Sequence, residues 1–196
     1  AGKTTFLRLL SGLVGARKQG VRWRGGNKAP MLGYLPASFG LIPEFTVHEN
    51  LRASCADVGD RNSMEKAIEM MQLPRLLQKR PSELSLGEGQ RVRFAIAISR
   101  SPDVYLLDEP VSNMDIDATI LAIDAMQRVA ESGHGVVLVT HDLATVDSLC
   151  PNLLILDAGR VVHQGTKAHF IERFGGGSFA VAYRRFMGTD NAPCSN

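Results

Sequence analysis

Cysteine is scarce in this chain. Cys55, Cys150 and Cys194 are the three present, widely separated and without a CxxC pair. That pattern fits a reduced cytosolic compartment better than a disulfide or zinc framework. Long apolar runs are missing too: nothing approaches the roughly 18 residues of a membrane span, and no secretory signal opens the sequence. As given, the chain does not read as an integral membrane protein. An excess of either charge is also lacking. Lys plus Arg number 22 against 20 for Asp plus Glu, and the net +2 is too small to point to a nucleic-acid partner. Arg22-Trp23-Arg24 and Arg184-Arg185 read as solvated faces. With 196 residues the chain suits one compact domain, or one with a small subdomain, and can bury a core.

What is present centres on Val104-Tyr105-Leu106-Leu107-Asp108-Glu109-Pro110. Four apolar residues bounded by acids read as a short strand buried on both faces. Open α/β sheets present their chemistry at the carboxyl ends of such strands, which sets Asp108 and Glu109 at the mouth of a crevice, with Pro110 stopping the strand. Paired acids there suit a metal and a water. They equally suit a helix N-terminus that attracts acids, and this stretch alone leaves both readings open.

The chain begins Ala1-Gly2-Lys3-Thr4-Thr5, with neither Met nor a strand before the glycine, which reads as a fragment of a longer reading frame. Gly2-Lys3-Thr4-Thr5 leads into the apolar-periodic stretch Phe6 to Leu13, a loop entering a helix. It matches the second half of GxxxxGK[ST], in which backbone N–H groups and a lysine hold phosphate oxygens and a hydroxyl ligates Mg²⁺. Gly20 to Gly26 reads as an edge strand and turn, and Met31 to Pro36 as a buried strand followed by a loop to Glu44. Thr46 with Glu49 forms a capping box for a helix. Ser63 to Gln78 is helical in pattern, interrupted at Pro74, with its Met residues in the core. The turn Pro81 to Gln90 opens a helix from Arg91 to Ser99, and its Ser85 suits an anion site or an ordinary N-cap.

A second helix, Thr119 to Glu131, leads to Gly135-Val136-Val137-Leu138-Val139-Thr140-His141-Asp142, another buried strand with a polar end. The strand–helix–strand unit predicts that the two strands lie side by side, with His141 at the sheet end that carries the acids. Leu153 to Gly165 reads as a hairpin with an Ala-Gly turn that closes the sheet. A short helix near Ala168 to Phe174, a flexible Gly175-Gly176-Gly177, an apolar segment Phe179 to Met187 and a polar tail complete the chain. His163 and His169 lack metal-ligand spacing.

Taken in order, these stretches resemble the ATP-binding cassette (ABC) family of P-loop ATPases, from residue 1 to about residue 166. A partial Walker A lies at Ala1 to Thr5, and a signature-like loop at Leu84-Ser85-Leu86-Gly87-Glu88 with Gln90-Arg91 following. A Walker B lies at Tyr105 to Pro110, a D-loop at Ser112-Asn113-Met114-Asp115, and a switch histidine at His141. The resemblance implies an α/β fold: a P-loop NTPase (RecA-like) parallel-sheet core with a small helical subdomain, its N-terminal antiparallel strands missing. It implies an ATP-binding domain over 1–166, with core 1–45 and 101–166, a helical subdomain over about 46–100, and a C-terminal helix and polar tail over 167–196.

The cofactors so implied are ATP and Mg²⁺. Gly2, Lys3, Thr4 and Thr5 grip the phosphates, Thr4 and Asp108 hold Mg²⁺, Glu109 is the general base, and His141 keeps the γ-phosphate and water in line. Ser85, Gly87 and Glu88 act on nucleotide bound to a second ABC cassette, with Asp115 pairing the two sites. The further partner is a transmembrane permease subunit, placing the chain peripherally on the cytoplasmic face of the membrane, with no nucleic-acid partner. The stretch Phe39 to Leu51 looks most like exporter-type cassettes. The alternative is a soluble tandem-cassette ATPase acting on the ribosome; a small-molecule P-loop kinase leaves the signature turn and His141 unexplained. Two residues depart from the family pattern: Ala37 stands at the usual Mg²⁺-contacting glutamine, and Leu86 at the first signature glycine.

Overall fold

The computed structural model describes residues 2–15, 29–38, 40–55 and 61–188. The expected edge strand Gly20 to Gly26, together with Ala1, Phe39 and Cys194, lies outside them. The chain divides into two compact units, Thr4–Val139 and Ala1–Lys3 with Thr140–Asn196.

In the first unit β1 (Leu32–Leu35), β2 (Val104–Asp108) and β3 (Gly135–Val139) form a parallel sheet with β2 in the middle. The predicted adjacency of the 104–110 and 135–142 strands is met, although β3 ends at Val139, ahead of the polar residues. A central strand has no solvated face, which is why Tyr105, Leu106 and Leu107 are all buried. Helix α1 (Lys3–Leu10) packs through Leu7 onto Leu106 and Val139, with Leu32, Tyr34 and Val137 around them.

Helices α2 (Val47–Cys55), α3 (Arg61–Met70) and α4 (Leu86–Ser99) pack on one another. Their buried stripes carry Val47 and Leu51, Met64 and Ala67, and Phe94, Ala95 and Ile98. The Thr46 capping box forms as expected: the Thr46 N–H donates to Glu49 Oε2 at 2.7 Å and the Glu49 N–H to Thr46 Oγ1 at 3.2 Å. The predicted helix to Gln78 instead stops at Met70. Gln72 takes a left-handed φ of +50° and Pro74–Leu76 form a separate 3₁₀ turn, so the break comes before the proline. Helix α4 in turn begins at Leu86 rather than Arg91, because Ser85 caps it there. Helix α5 (Ile116–Glu131) joins β2 to β3.

The second unit holds α6 (Leu143–Leu149), β4 (Asn152–Asp157), β5 (Arg160–Thr166), α7 (Lys167–Phe174) and α8 (Phe179–Phe186). The hairpin is as predicted, turning at Ala158 (φ +45°) and Gly159 (φ +77°), but β4 and β5 pair with each other as their own two-stranded sheet. They do not close the parallel one. The segment after the three glycines is the helix α8, whose Phe179 and Ala182 are buried against Phe170 of α7. A side chain at Gly176 would place its Cβ 2.4 Å from Val181 Cγ1, so the glycines make a close α7–α8 turn.

His163 on β5 faces this aromatic cluster, 4.7 Å from the Phe170 ring and 6.3 Å from Phe186. Its Nε2 is buried without a hydrogen-bond partner. Burial, and then the charges of Arg173 and His169, pull the imidazole below its usual 6.5. Below 6.5 the unfolded chain therefore binds a proton that the folded one refuses, so this group lowers stability as pH falls from 6.5 through the depressed folded value. The urea midpoint is expected to fall between about pH 7 and about pH 5, and the His163→Phe variant to lose that part of the pH dependence. An identical slope in both proteins would refute the assignment.

Candidate functional site

The first unit's chemistry gathers at the carboxyl end of β2. Asp108 is 1% exposed, and its Oδ2 is buried with no hydrogen-bond partner. Such a carboxylate is costly unless a cation or a bound water completes it. The residues present therefore fit a hard oxygen-loving cation at this strand end.

Glu109 follows in the left-handed region, φ +51°, which a non-glycine residue occupies only under constraint. The constraint is visible. Its N–H donates to Val139 O at 2.8 Å, continuing the ladder one residue past β2, while the Ser112 N–H and hydroxyl donate to its carbonyl at 3.2 and 2.9 Å. The turn fixes the direction of the Cα–Cβ bond and leaves the side chain half-buried. What ends β2 is thus this kink as much as Pro110. Beyond it Asn113 also has a left-handed φ of +63°, and Asp115 caps α5 by accepting the Ala118 N–H at 2.7 Å. Asp115 has a local role in the turn, whatever else it meets.

Ser85 heads α4. Its Oγ accepts the Glu88 N–H at 3.2 Å, and Glu88 Oε2 accepts the Ser85 N–H at 2.8 Å, a closed capping box. The Ser85 N–H, helped by Lys79 at 3.4 Å, holds the Glu88 carboxyl below its usual range. Ser85 is exposed, Leu86 is 66% exposed, and Gly87 stands in the first helical turn. The anion-site and N-cap readings of this turn coexist: a capped helix still presents N–H groups.

Thr4 and Thr5 lie in the first turn of α1, Thr4 half-buried and Thr5 exposed. Helix N-termini suit phosphate. In the second unit, Gly2 takes φ +83°, open to glycine at little cost, and Lys3 is half-buried. His141 sits in an exposed bend ahead of α6. The next residue, Asp142, caps that helix, accepting the N–H groups of Ala144 and Thr145 at 3.1 and 3.2 Å as well as the Thr145 hydroxyl. The hydroxyl first, then the two amides, keep the Asp142 carboxyl below its usual range. Ala37 lies in an exposed bend after β1. The structure thus brings Ser85, Gly87, Asp108, Glu109 and Asp115 into one unit with Thr4 and Thr5, and Gly2, Lys3 and His141 into the other.

A polar residue not singled out individually is Gln90, 3% exposed on α4, whose side-chain amide donates to Pro110 O at 3.1 Å. Its signal in the sequence is position: it lies one turn ahead of buried Phe94, where an apolar residue is expected.

The family model described as ABC transporter matches residues 1–112. The molybdate/tungstate import ATP-binding protein of Archaeoglobus fulgidus is 32% identical over 84% of this chain and 73% of its own length. The cell division ATP-binding protein of Streptococcus pneumoniae is 31% identical over 87% of the chain and 81% of its own. The chain spans 63% and 62% of uncharacterised ABC transporter ATP-binding proteins from Methanocaldococcus jannaschii and Bacillus subtilis. A solved ATP-binding subunit of an ABC transporter superposes with a TM-score of 0.80 at 28% identity, covering 95% of this chain and 83% of that one.

For the capping box, Ser85→Ala is expected to cost about 1 kcal/mol in thermal unfolding. The pH effect has a definite sign. Because the folded Glu88 pKa is depressed, its contribution is complete above the usual 4.5 and lost as pH falls through the lower folded value. Glu88→Gln, which removes the titrating group, should thus differ less from the parent in acid than at neutral pH, as read by circular dichroism melts.

Proposed function

Because the chain belongs to the ABC transporter ATP-binding family, with the α/β parallel-sheet fold of a P-loop NTPase, we propose that it binds and hydrolyses ATP as the energy-supplying subunit of a membrane transporter. The observation that carries this reading is the buried, partnerless Oδ2 of Asp108 beside a backbone-constrained Glu109 at the end of the central strand. No helix among the described residues is long and apolar enough to cross a membrane; the proposed partner is a transmembrane permease, with this subunit peripheral on the cytoplasmic face. The helices of 46–100 form the proposed helical subdomain and 1–45 with 101–166 the core; 167–196 is the C-terminal extension.

Thr4 and Asp108 would hold Mg²⁺, which would neutralise phosphate charge. Gly2, Thr4 and Thr5 present backbone N–H groups to the phosphates, and Lys3 adds a positive charge to them. The Glu109 carboxylate accepts the proton of the attacking water, and its fixed backbone direction limits the orientations from which it does so. His141 is the residue proposed to meet the γ-phosphate. Ser85, Gly87 and Glu88, at an exposed helix N-terminus, serve nucleotide bound to a second cassette in a head-to-tail pair, and Asp115 lies on that contact. Ile42, 42% exposed, and Phe45, 38% exposed, lie ahead of α2 on the stretch proposed to dock the permease. That stretch supports an exporter-type cassette as the narrower form of the proposal. Ala37 can offer no side-chain oxygen to Mg²⁺, so Ala37→Gln is expected to tighten the Mg²⁺ dependence of turnover.

The deciding variant is Glu109→Gln, which keeps shape and backbone strain but removes the base. ATP turnover should drop by roughly 10²–10⁴-fold, with nucleotide binding retained in a fluorescence titration. Turnover at the parental rate would sink the assignment of Glu109.

A further inference from the structure

Near each of its ends helix α4 is tied, to β2 or to the turn just past it, by a side chain reaching a backbone carbonyl. At the helix C-terminal end the Tyr105 hydroxyl donates to Ile98 O at 3.2 Å. Burial pushes this phenol up to about 12, so the donor proton stays in place throughout the neutral range. At the N-terminal end the Gln90 amide donates to Pro110 O at 3.1 Å. Both bonds are buried, where a hydrogen bond is costly to leave unmade.

The second tether lands at an unusual place. Pro110 has a ring-fixed φ and follows a glutamate already held left-handed by the Val139 carbonyl and by Ser112. A pull on the Pro110 carbonyl has little slack to absorb it before it reaches the Glu109 peptide. The contact continues past Gln90, since a Cβ on Gly87 would lie 3.6 Å from Asn113 O. Packing alone does not account for an amide here. Phe94 and Ile98 follow at four-residue steps on the same stripe and are apolar, and a buried glutamine has to be satisfied at a cost in desolvation that a methionine would avoid.

We propose that Gln90 is a positioning residue that couples the two nucleotide sites of an assembled pair, through its bond from α4 to the Pro110 carbonyl. The inference rests on the cassette reading above. Under it, Ser85 at the start of α4 faces nucleotide on the partner, while Glu109 faces the chain's own. The α4 helix then acts as a strut within one protomer. Engagement of Ser85 shifts the helix, and Gln90 passes that shift to the peptide that aims Glu109. Tyr105, at the far end of the strut, stabilises the helix without touching this route.

The test compares Gln90→Met, which keeps volume and removes the donor, with Tyr105→Phe, which removes the other tether, in the full chain. Thermal unfolding reports folding in each. In Gln90→Met, ATP turnover should fall on the order of tenfold with KM unchanged and the cooperativity of the ATP dependence lost. Tyr105→Phe should retain both. Without nucleotide, hydrogen exchange at the Ser112 and Met114 amides should speed up in Gln90→Met alone. Parental turnover and cooperativity in Gln90→Met, equal losses in both variants, or unchanged exchange at those amides would overturn the proposal. A parent protein with no ATP turnover would instead overturn the cassette reading, and the coupling with it.

Discussion

A strand that is apolar to its last residue but one, and then ends in a buried carboxylate, is the constraint on which the first unit depends. β2 lies between two parallel neighbours, so its side chains meet protein on both faces, and Leu106 and Leu107 serve the sheet's two sides. α1 is seated by Leu7 against Leu106, and α4 is tethered to the strand at Tyr105 and just beyond it at Pro110. An Asp108 carboxylate that is 1% exposed is tolerable only at the edge of such a layer, where a cation can reach it. Fold and chemistry therefore meet in one residue: moved a step inward the charge would be ruinous, and moved a step outward it would be solvated and weak.

Much of this was legible in the residues. The apolar runs of β2 and β3, with a helical period between them, are enough to predict adjacent parallel strands. Thr46 and Glu49 announce their capping box through spacing alone, and the hairpin through its Ala-Gly turn. Asp108 and Glu109 stand out because acids seldom end an apolar run without a reason.

What was not legible depends on backbone geometry and on partners distant in the chain. The Ser85 box lengthens α4 toward its N-terminus, because two glycines in the first turn weaken the helical pattern without breaking the cap. The hairpin's pairing with itself could not be told from pairing with the sheet, since alternation is the same in both cases. Helix α8 is hidden by a glycine run that looks like a linker and is in fact a close turn onto Phe170. Gln90 looks like any polar residue near a helix start until the carbonyl that it serves, on another element, is known.

The left-handed backbone at Glu109 also has a bearing on how this protein can change over time. A carboxylate residue there costs about 1–2 kcal/mol relative to a glycine in the same conformation, borne by every folded molecule whether or not it is turning over. Selection for thermal robustness alone would drift the position toward glycine or asparagine, which accept that φ, and would discard the carboxylate in doing so. Stability and the proposed chemistry pull in opposite directions at this one residue, so a lineage released from that chemistry would gain stability most cheaply here while keeping the fold.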